Sequence, residues 1–390
     1  MSVLEIVFIC CLSVVFYTYI GYGVLLFILV KIKSFFSKKV HLEIDVFEPK
    51  VTMFVAAYNE ISCIQEKVEN MFELNYPSDK IQFLFVTDGS DDGTPEFLSK
   101  YDNIQVIHTK SRGGKIGAIN KGMKYIENPI VIYSDANAML NPDAVKEIVK
   151  HYIDPKVGCV AGEKRVLSNG NDGASGAGEG IYWKYESWLK SYDYELYSAV
   201  GAAGELFSIR TRLHQEIESD TILDDFIISL RIAMSGYKIA YEPKAYAAEF
   251  ASSSIIDEQK RKVRISAGGI QSIFRLMELF NPFKHGWLSF QFISHRVLRW
   301  TLTPVLLFLL LPVNVLLVMG DTSQIYTILL TVQLGFYAIS IVGYMLSRLN
   351  VKLKAFFVPF YFIFMNICVF LGMFRFAKGE QSVLWEKARR

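Results

Sequence analysis

The chain has 390 residues, 52% of them hydrophobic and 14% aromatic, and a formal net charge of +2. So small a charge, with no basic stripe interleaved with aromatics in the central region, excludes a nucleic-acid binder. Apolar residues gather at the two ends and charges in the middle, which excludes an evenly soluble globule and points to one α/β domain held between membrane segments.

Residues 3–30 are interrupted by a single charge, Glu5, and are long enough to cross a bilayer as a helix. The start carries no basic cluster and the apolar run does not end in small residues, so a retained membrane helix is expected rather than a cleaved signal. Lys31, Lys33, Lys38 and Lys39 follow, placing the N-terminus outside an inner-type cell membrane and the linker 31–49 and later domain in the cytoplasm. Residues 50–60, KVTMFVAAYNE, read as a strand opening onto a polar turn, and 61–74 as a helix stopped by Pro77. A second strand, 81–86, runs into the acidic glycine turn from Thr87 to Thr94 and then a helix. Residues 104–108 form a third strand, 117–126 a helix, and 130–133 a buried strand ending at Asp135 and Asn137. Alternation of this kind predicts a parallel sheet with right-handed crossovers and a ligand crevice at the strand ends. There the oxygens of Asp135 and Asn137 would hold a divalent cation on a diphosphate, or merely close an Asx turn.

The glycine-rich stretch 168–180 has no apolar periodicity and reads as a mobile surface loop or linker, with gating of the crevice as its functional reading. Residues 182–197 are aromatic and helical in spacing, suited to packing or to a sugar platform. Residues 255–280 form an amphipathic helix with Lys260, Arg261, Lys262 and Arg264 on its polar side, suited to the membrane surface, and 287–300 a second such helix. Three apolar segments follow at 302–319, 325–346 and 355–374. If all three span, the basic tail with Arg375 and Lys378 ends outside, against the positive-inside expectation, although Arg348, Lys352 and Lys354 fall inside. Either the tail is external or one segment is re-entrant. The division is therefore 1–30 membrane helix, 31–49 linker, 50–254 cytoplasmic domain, 255–300 interfacial helices, 301–376 two or three spans, and 377–390 tail. The five cysteines are odd in number and lack zinc-type spacing, so reduced thiols are expected.

Together these segments resemble the membrane-embedded glycosyltransferases of family 2, the group of cellulose, chitin, hyaluronan and poly-N-acetylglucosamine synthases, in order from about residue 50 to 269. The resemblance implies a GT-A-type nucleotide-diphospho-sugar transferase domain, α/β with a mostly parallel sheet, between N- and C-terminal transmembrane helices. It implies that Ala57, Tyr58 and Glu60 hold base and ribose, that Asp88 meets the uracil and that Lys115 faces the nucleotide. The segment around Lys115 is not a Walker loop, since no Ser or Thr follows the lysine. The family's DxD metal motif appears as Asp135, Ala136 and Asn137, with magnesium or manganese as the implied cofactor and an uncharged second ligand. Asp224 and Asp225 resemble the TED motif, with Asp225 in the place of the general base; the alternative for such a pair is helix capping. Gly201 and Gly204 match the acceptor-side strand, where packing alone also explains glycine. Arg264 matches the arginine of the QxxRW motif and would pair with the diphosphate, whereas Ile265 stands where the family stacks a tryptophan on the acceptor sugar.

The expected activity is inverting, metal-dependent transfer from a UDP-sugar to a growing polysaccharide or a polyprenyl-linked acceptor, with membrane lipids and export or assembly proteins as further partners. Few charged residues lie within 302–374, which favours a lipid-linked acceptor or short chain over a wide polar channel. The alternative is a catalytically silent membrane scaffold subunit of an assembly or export complex.

Overall fold

A computed structural model describes residues 1–36, 47–167, 174–250, 254–349, 351 and 353–380. An eight-stranded sheet of order β3-β2-β1-β4-β7-β6-β8-β5 forms the centre. Its strands are β1 (Val51–Ala57), β2 (Ile81–Asp88), β3 (Ile104–Thr109), β4 (Ile130–Asp135), β5 (Met139–Leu140), β6 (Val157–Leu167), β7 (Leu206–Arg210) and β8 (Lys238–Phe250). β1 to β4 are parallel to one another, as are β6 and β8, while β7 runs antiparallel to both neighbours, so the sheet is mixed. Alternate residues feed two cores: Phe54, Leu84, Val86, Val131 and Tyr133 on one face, Met53, Val55, Phe83, Phe85 and Ile132 on the other. The second face is covered by α2 (Ile64–Phe72), the first by α3 (Gly114–Gly122) and α5 (Asp224–Met234).

Register decides where the chemistry lies. Ala57 pairs with Thr87 and Ala56 with Asp135, so β1, β2 and β4 end on one line, with Asp88 and Asp135 flanking the end of β1. Because β7 is antiparallel to β4, with Leu206 opposite Ser134, the segment leading into β7 brings Gly204 and Glu205 to that same edge.

The glycine-rich stretch differs from its reading as a loop. Helix α4 (Ala174–Leu196) begins inside it, and residues 168–173 lie outside the described residues. Glycine disfavours helix by about 1 kcal/mol per residue, so the aromatic half of α4, with Leu189 and Leu196 buried against Tyr22, Leu26 and Val30, must sustain it.

Among the described residues four helices are long and apolar enough to cross a membrane: α1 (Val3–Phe36), α8 (Leu302–Met319), α9 (Gln324–Arg348) and a segment, Ala355–Ala377, of α10 (Lys354–Ala377). α1 continues six residues past Val30 and contains a π-turn at Tyr17–Gly21. A second π-turn, Phe292–Val297, lies within 287–300, here α7, and the two meet where the Tyr17 hydroxyl bonds Ser294 at 2.8 Å. α7 buries His295, Arg296 and Arg299 inside the protein, while Trp287 at its start is exposed. The polar side of α6 (Ile255–Arg275) likewise turns inward: Lys262 is buried and ion-paired with Glu258 at 3.4 Å. α10 runs beside α6, from the Tyr361 hydroxyl on Glu258 at 3.2 Å to the Phe274–Phe376 stack at 5.6 Å. Its far end therefore returns to the domain, with Arg375 lining the large central cavity.

Candidate active site

A narrow cleft at the sheet edge is lined by Ala57, Tyr58, Glu60, Asp88, Lys115, Asp135 and Asn137, so the structure brings these sequence-selected residues together. Asp88 is buried, and its two carboxylate oxygens accept the backbone N–H groups of Gly113 (2.8 Å) and Gly114 (2.6 Å). It thus fastens the glycine loop that aims Lys115, a positioning task the sequence reading did not give it. Glu60 is buried in the β1 turn, its oxygen taking the Cys63 thiol. Arg112 lies over the Tyr58 ring, 3.7 Å from its centroid, forming a flat cation–π wall at the cleft mouth.

Lys115 is the electrostatic centre. Its ammonium donates to Asp135 at 2.8 Å and lies 3.6 Å from Asp224, linking the end of β4 to the start of α5. Burial opposes its charge, but Asp135 and Asp224 together outweigh that and hold its pKa above the ordinary lysine value. Lys67 lies directly behind Asp135. Fully buried, it donates to Ser134 Oγ at 2.7 Å and the Ala138 carbonyl at 2.6 Å, clamping both sides of the Asp135–Asn137 turn. Burial lowers its pKa to about 7.

The capping alternative fails for the acidic pair. The N-cap of α5 is Leu223, with no side-chain cap, and Asp224 and Asp225 fill the first turn. Asp224 Oδ2 is buried without a hydrogen bond. Burial, and then the Asp224 charge, push Asp225 up to about 7. The Asx-turn alternative is no better supported, since the hydrogen bond described for the Asp135 carboxylate comes from Lys115. Gly204 explains its own identity: a Cβ there would come 3.2 Å from Lys115 Nζ and 3.6 Å from Asp225 Oδ2. Gly201 has φ +87°, and a Cβ would meet the Phe226 ring at 2.3 Å, so its role is to let α5 approach.

Among the described residues no three His, Cys, Asp or Glu side chains gather to hold a metal. Asp135 and Asn137 nevertheless offer adjacent hard oxygens open to the cleft, a donor set that fits magnesium or manganese shared with a diphosphate.

From Asp224 and Asp225 a larger cavity, about 970 Å³, opens toward the apolar helices and takes in Arg264, Ile265 and Gly204. Arg264 is largely buried, which lowers its pKa, and its Nε finds no hydrogen-bond acceptor. Ile265 lines this cavity, and an aromatic arrives from elsewhere: Trp300 of α7 also borders it and meets Phe226 edge-on at 5.2 Å. Trp183 of α4 lines it too. Sequence reasoning did not select Trp300; the small Gly269, whose Cβ would strike its ring at 2.6 Å, was the available signal.

Residues 52–217 match the family model "Glycosyl transferase family 2". The poly-beta-1,6-N-acetyl-D-glucosamine synthase of Staphylococcus aureus (strain COL) is 25% identical over 256 residues, covering 63% of this chain and 60% of that protein. That of Staphylococcus epidermidis is 24% identical over 254 residues, covering 62% and 59%. The chain thus spans less than two thirds of either relative's length. Among solved structures, the mannosyltransferase PcManGT from Pyrobaculum calidifontis, in complex with GDP-Man and Mn2+, superposes with a TM-score of 0.72 at 21% identity, covering 97% of this chain and 100% of that one. With the strand-end cleft, the mixed sheet and this match in agreement, the chain carries a glycosyl transferase family 2 domain on a GT-A fold, joined to apolar helices long enough to cross a membrane.

Proposed function

We propose that the chain is an inverting, metal-dependent glycosyltransferase that moves a sugar from a UDP-sugar to a growing polysaccharide or a lipid-linked acceptor at the cytoplasmic face of a cell membrane. The observation that carries the proposal is Asp225: a buried carboxyl, pushed up to about 7, against the bare backbone of Gly204 and one residue from the Asp224–Lys115–Asp135 chain of charges. A base with that pKa is matched to removing a proton near neutral pH. A Mn2+ structure of the same fold supports metal dependence without choosing between manganese and magnesium.

In this reading Tyr58 and Arg112 flank the base, Asp88 fixes the loop of Lys115, and Lys115 and Arg264 offset the charge of the diphosphate. Asp135 and Asn137 would hold the metal, which supplies Lewis-acid stabilisation of the departing diphosphate. Asp225 accepts the proton of the acceptor hydroxyl as its oxygen bonds to the anomeric carbon, on the face opposite the breaking bond to the diphosphate. The configuration at that carbon inverts. UDP release by purified, detergent-solubilised protein across a panel of UDP-sugars, with manganese or magnesium and membrane extract as acceptor, tests the proposal. Turnover with one sugar, abolished by Asp225→Asn, is expected. UDP binding without turnover on any donor would instead assign the chain as a silent scaffold subunit, the reading the uncharged Asn137 favours.

A further inference from the structure

Beside the apolar helices the large cavity is lined by a second group of cationic side chains, away from Lys115 and Arg264. There α7 contributes Arg296 and Arg299, and α4 contributes Glu186 and Lys190. One buried carboxylate, Glu186, serves three cationic or basic groups: Arg296 at 2.6 Å, Arg299 at 2.9 Å and His295 at 3.3 Å. His295 spends its other nitrogen on Asp193 at 2.5 Å. Among the described residues Arg299 Nε and Nη2 are buried without an acceptor in good geometry, the nearest neutral partner of the guanidinium being the Tyr182 hydroxyl. Lys190, also buried, has no carboxylate within ion-pair distance among the described residues and rests against the rings of Trp183 and Tyr241, each 5.8 Å away. Unpaired buried donors are costly, and an anion entering here recovers that cost. The donor diphosphate is accounted for at the other end of the cavity, beside Asp135 and Arg264. The remaining wall is apolar and comes from membrane helices: Tyr19 of α1, and Val358, Phe362, Met365 and Val369 of α10.

Between the two ends stands Trp300, which touches Phe226, the neighbour of Asp225, on one side and carries the Arg296 guanidinium 5.8 Å from its ring centroid on the other. An aromatic face between a base and an anion site suits a sugar ring. The base itself adds a constraint. A phosphate oxygen is already anionic and needs no general base to attack, whereas a sugar hydroxyl does.

From this arrangement we infer that the acceptor is a sugar joined through phosphate to a lipid. Its phosphate is held by Arg299, Arg296 and Lys190, its sugar lies on Trp300 with a hydroxyl at Asp225, and its apolar chain runs along α10 and Tyr19. The step balances as a simple transfer: the acceptor oxygen bonds to the anomeric carbon, the carbon–oxygen bond to the donor diphosphate breaks, and the hydroxyl proton passes to Asp225. The lipid phosphate is not consumed. This inference rests on the transferase reading above.

The test uses the full chain in detergent with the donor sugar found active in UDP release. Two acceptors are compared: a synthetic short-prenyl diphosphate N-acetylglucosamine and its neutral counterpart, octyl N-acetylglucosaminide. Wild type is expected to use the charged acceptor with a KM at least tenfold lower, and Arg299→Gln to raise that KM tenfold or more while the donor KM moves less than twofold. Since Arg299→Gln disturbs the Glu186 cluster, Lys190→Met and the acceptor comparison on wild type provide readings that do not depend on that variant folding. Equal use of both acceptors by wild type, or ladders of lengthening products on the neutral one, would overturn the inference in favour of a polysaccharide acceptor. Inhibition by phosphatidylglycerol vesicles or inorganic phosphate as strong as by the prenyl diphosphate sugar would overturn it in favour of a general phosphate or headgroup site. A failed transferase reading is distinguishable, because it removes UDP release from every donor, whereas a failed acceptor inference leaves donor turnover intact and removes only the preference for phosphate.

Discussion

Replacing Asp225 by asparagine separates the two demands placed on that carboxyl. An ordinary aspartate titrates near ~3.9, whereas Asp225 is pushed up to about 7 by burial and by Asp224. The sign follows from proton binding: the folded state binds more protons than the unfolded state between those two values, so stability is lost as pH rises through that window and the full cost is present above it. Ionisation of Asp225 therefore opposes folding by roughly 2 kcal/mol at pH 5.5 and by roughly 4 kcal/mol at pH 8.5, both upper limits. Asparagine has the same shape without the titration, and its own burial cost does not vary with pH. Melting temperatures of wild type and Asp225→Asn in detergent should thus diverge in favour of the variant by several degrees more at pH 8.5 than at pH 5.5. Over the same range the variant should lose about 10²–10⁴-fold in UDP release, the usual contribution of a positioned base. Wild-type turnover should rise with pH through about 7 as the base loses its proton. A pH-independent difference in melting temperature would refute the buried-charge argument, and a variant with near-normal turnover would refute the role as base.

Three further substitutions address the surroundings. Asn137→Asp adds a charged metal ligand and should lower the manganese concentration for half-maximal UDP release about tenfold; an unchanged titration would remove Asn137 from the metal site. Lys67→Met deletes the clamp on Ser134 and Ala138 and should raise that manganese requirement about 10-fold or more. Because a buried lysine is already costly, its melting temperature should fall little, and a large fall with unchanged metal dependence would show that the clamp is purely structural. Gly201→Ala must place a Cβ 2.3 Å from the Phe226 ring at φ +87° and should destabilise by about 2–4 kcal/mol, read as a lower melting temperature.

Sequence reading reached the parts of this protein whose signals are local. β-branched runs ending in polar residues marked β1, β2 and β4, and register then forced Asp88 and Asp135 to one edge. The pair Asp224 and Asp225 was visible as a motif, but choosing between cap and catalyst required Leu223 to be seen as the N-cap. Contacts between distant segments left no such mark. Arg299 meets Glu186 across 113 positions, and their sequences read respectively as interfacial and aromatic helix. Charge in an amphipathic pattern suits a membrane surface and a buried ion cluster equally, so the pattern of 287–300 does not announce that His295, Arg296 and Arg299 are buried. Likewise, the glycines near 174–180 outweighed a helix that only packing sustains, and Trp300 could not be matched to a motif it reaches from another element.

The Tyr22 hydroxyl of α1 donates to Asp193 in α4, and Gln291 and His295 of α7 bind that same carboxylate. Lys33 adds bonds to the carbonyls of Glu195 and Leu196 at 2.9 and 2.8 Å. The domain is in this way bolted to its first apolar helix, with no free swivel between them. If the proposed transfer takes place here, these bonds set its height along the helices. On the proposed function, travel along the axis of the helices would fall to the acceptor rather than to the cleft.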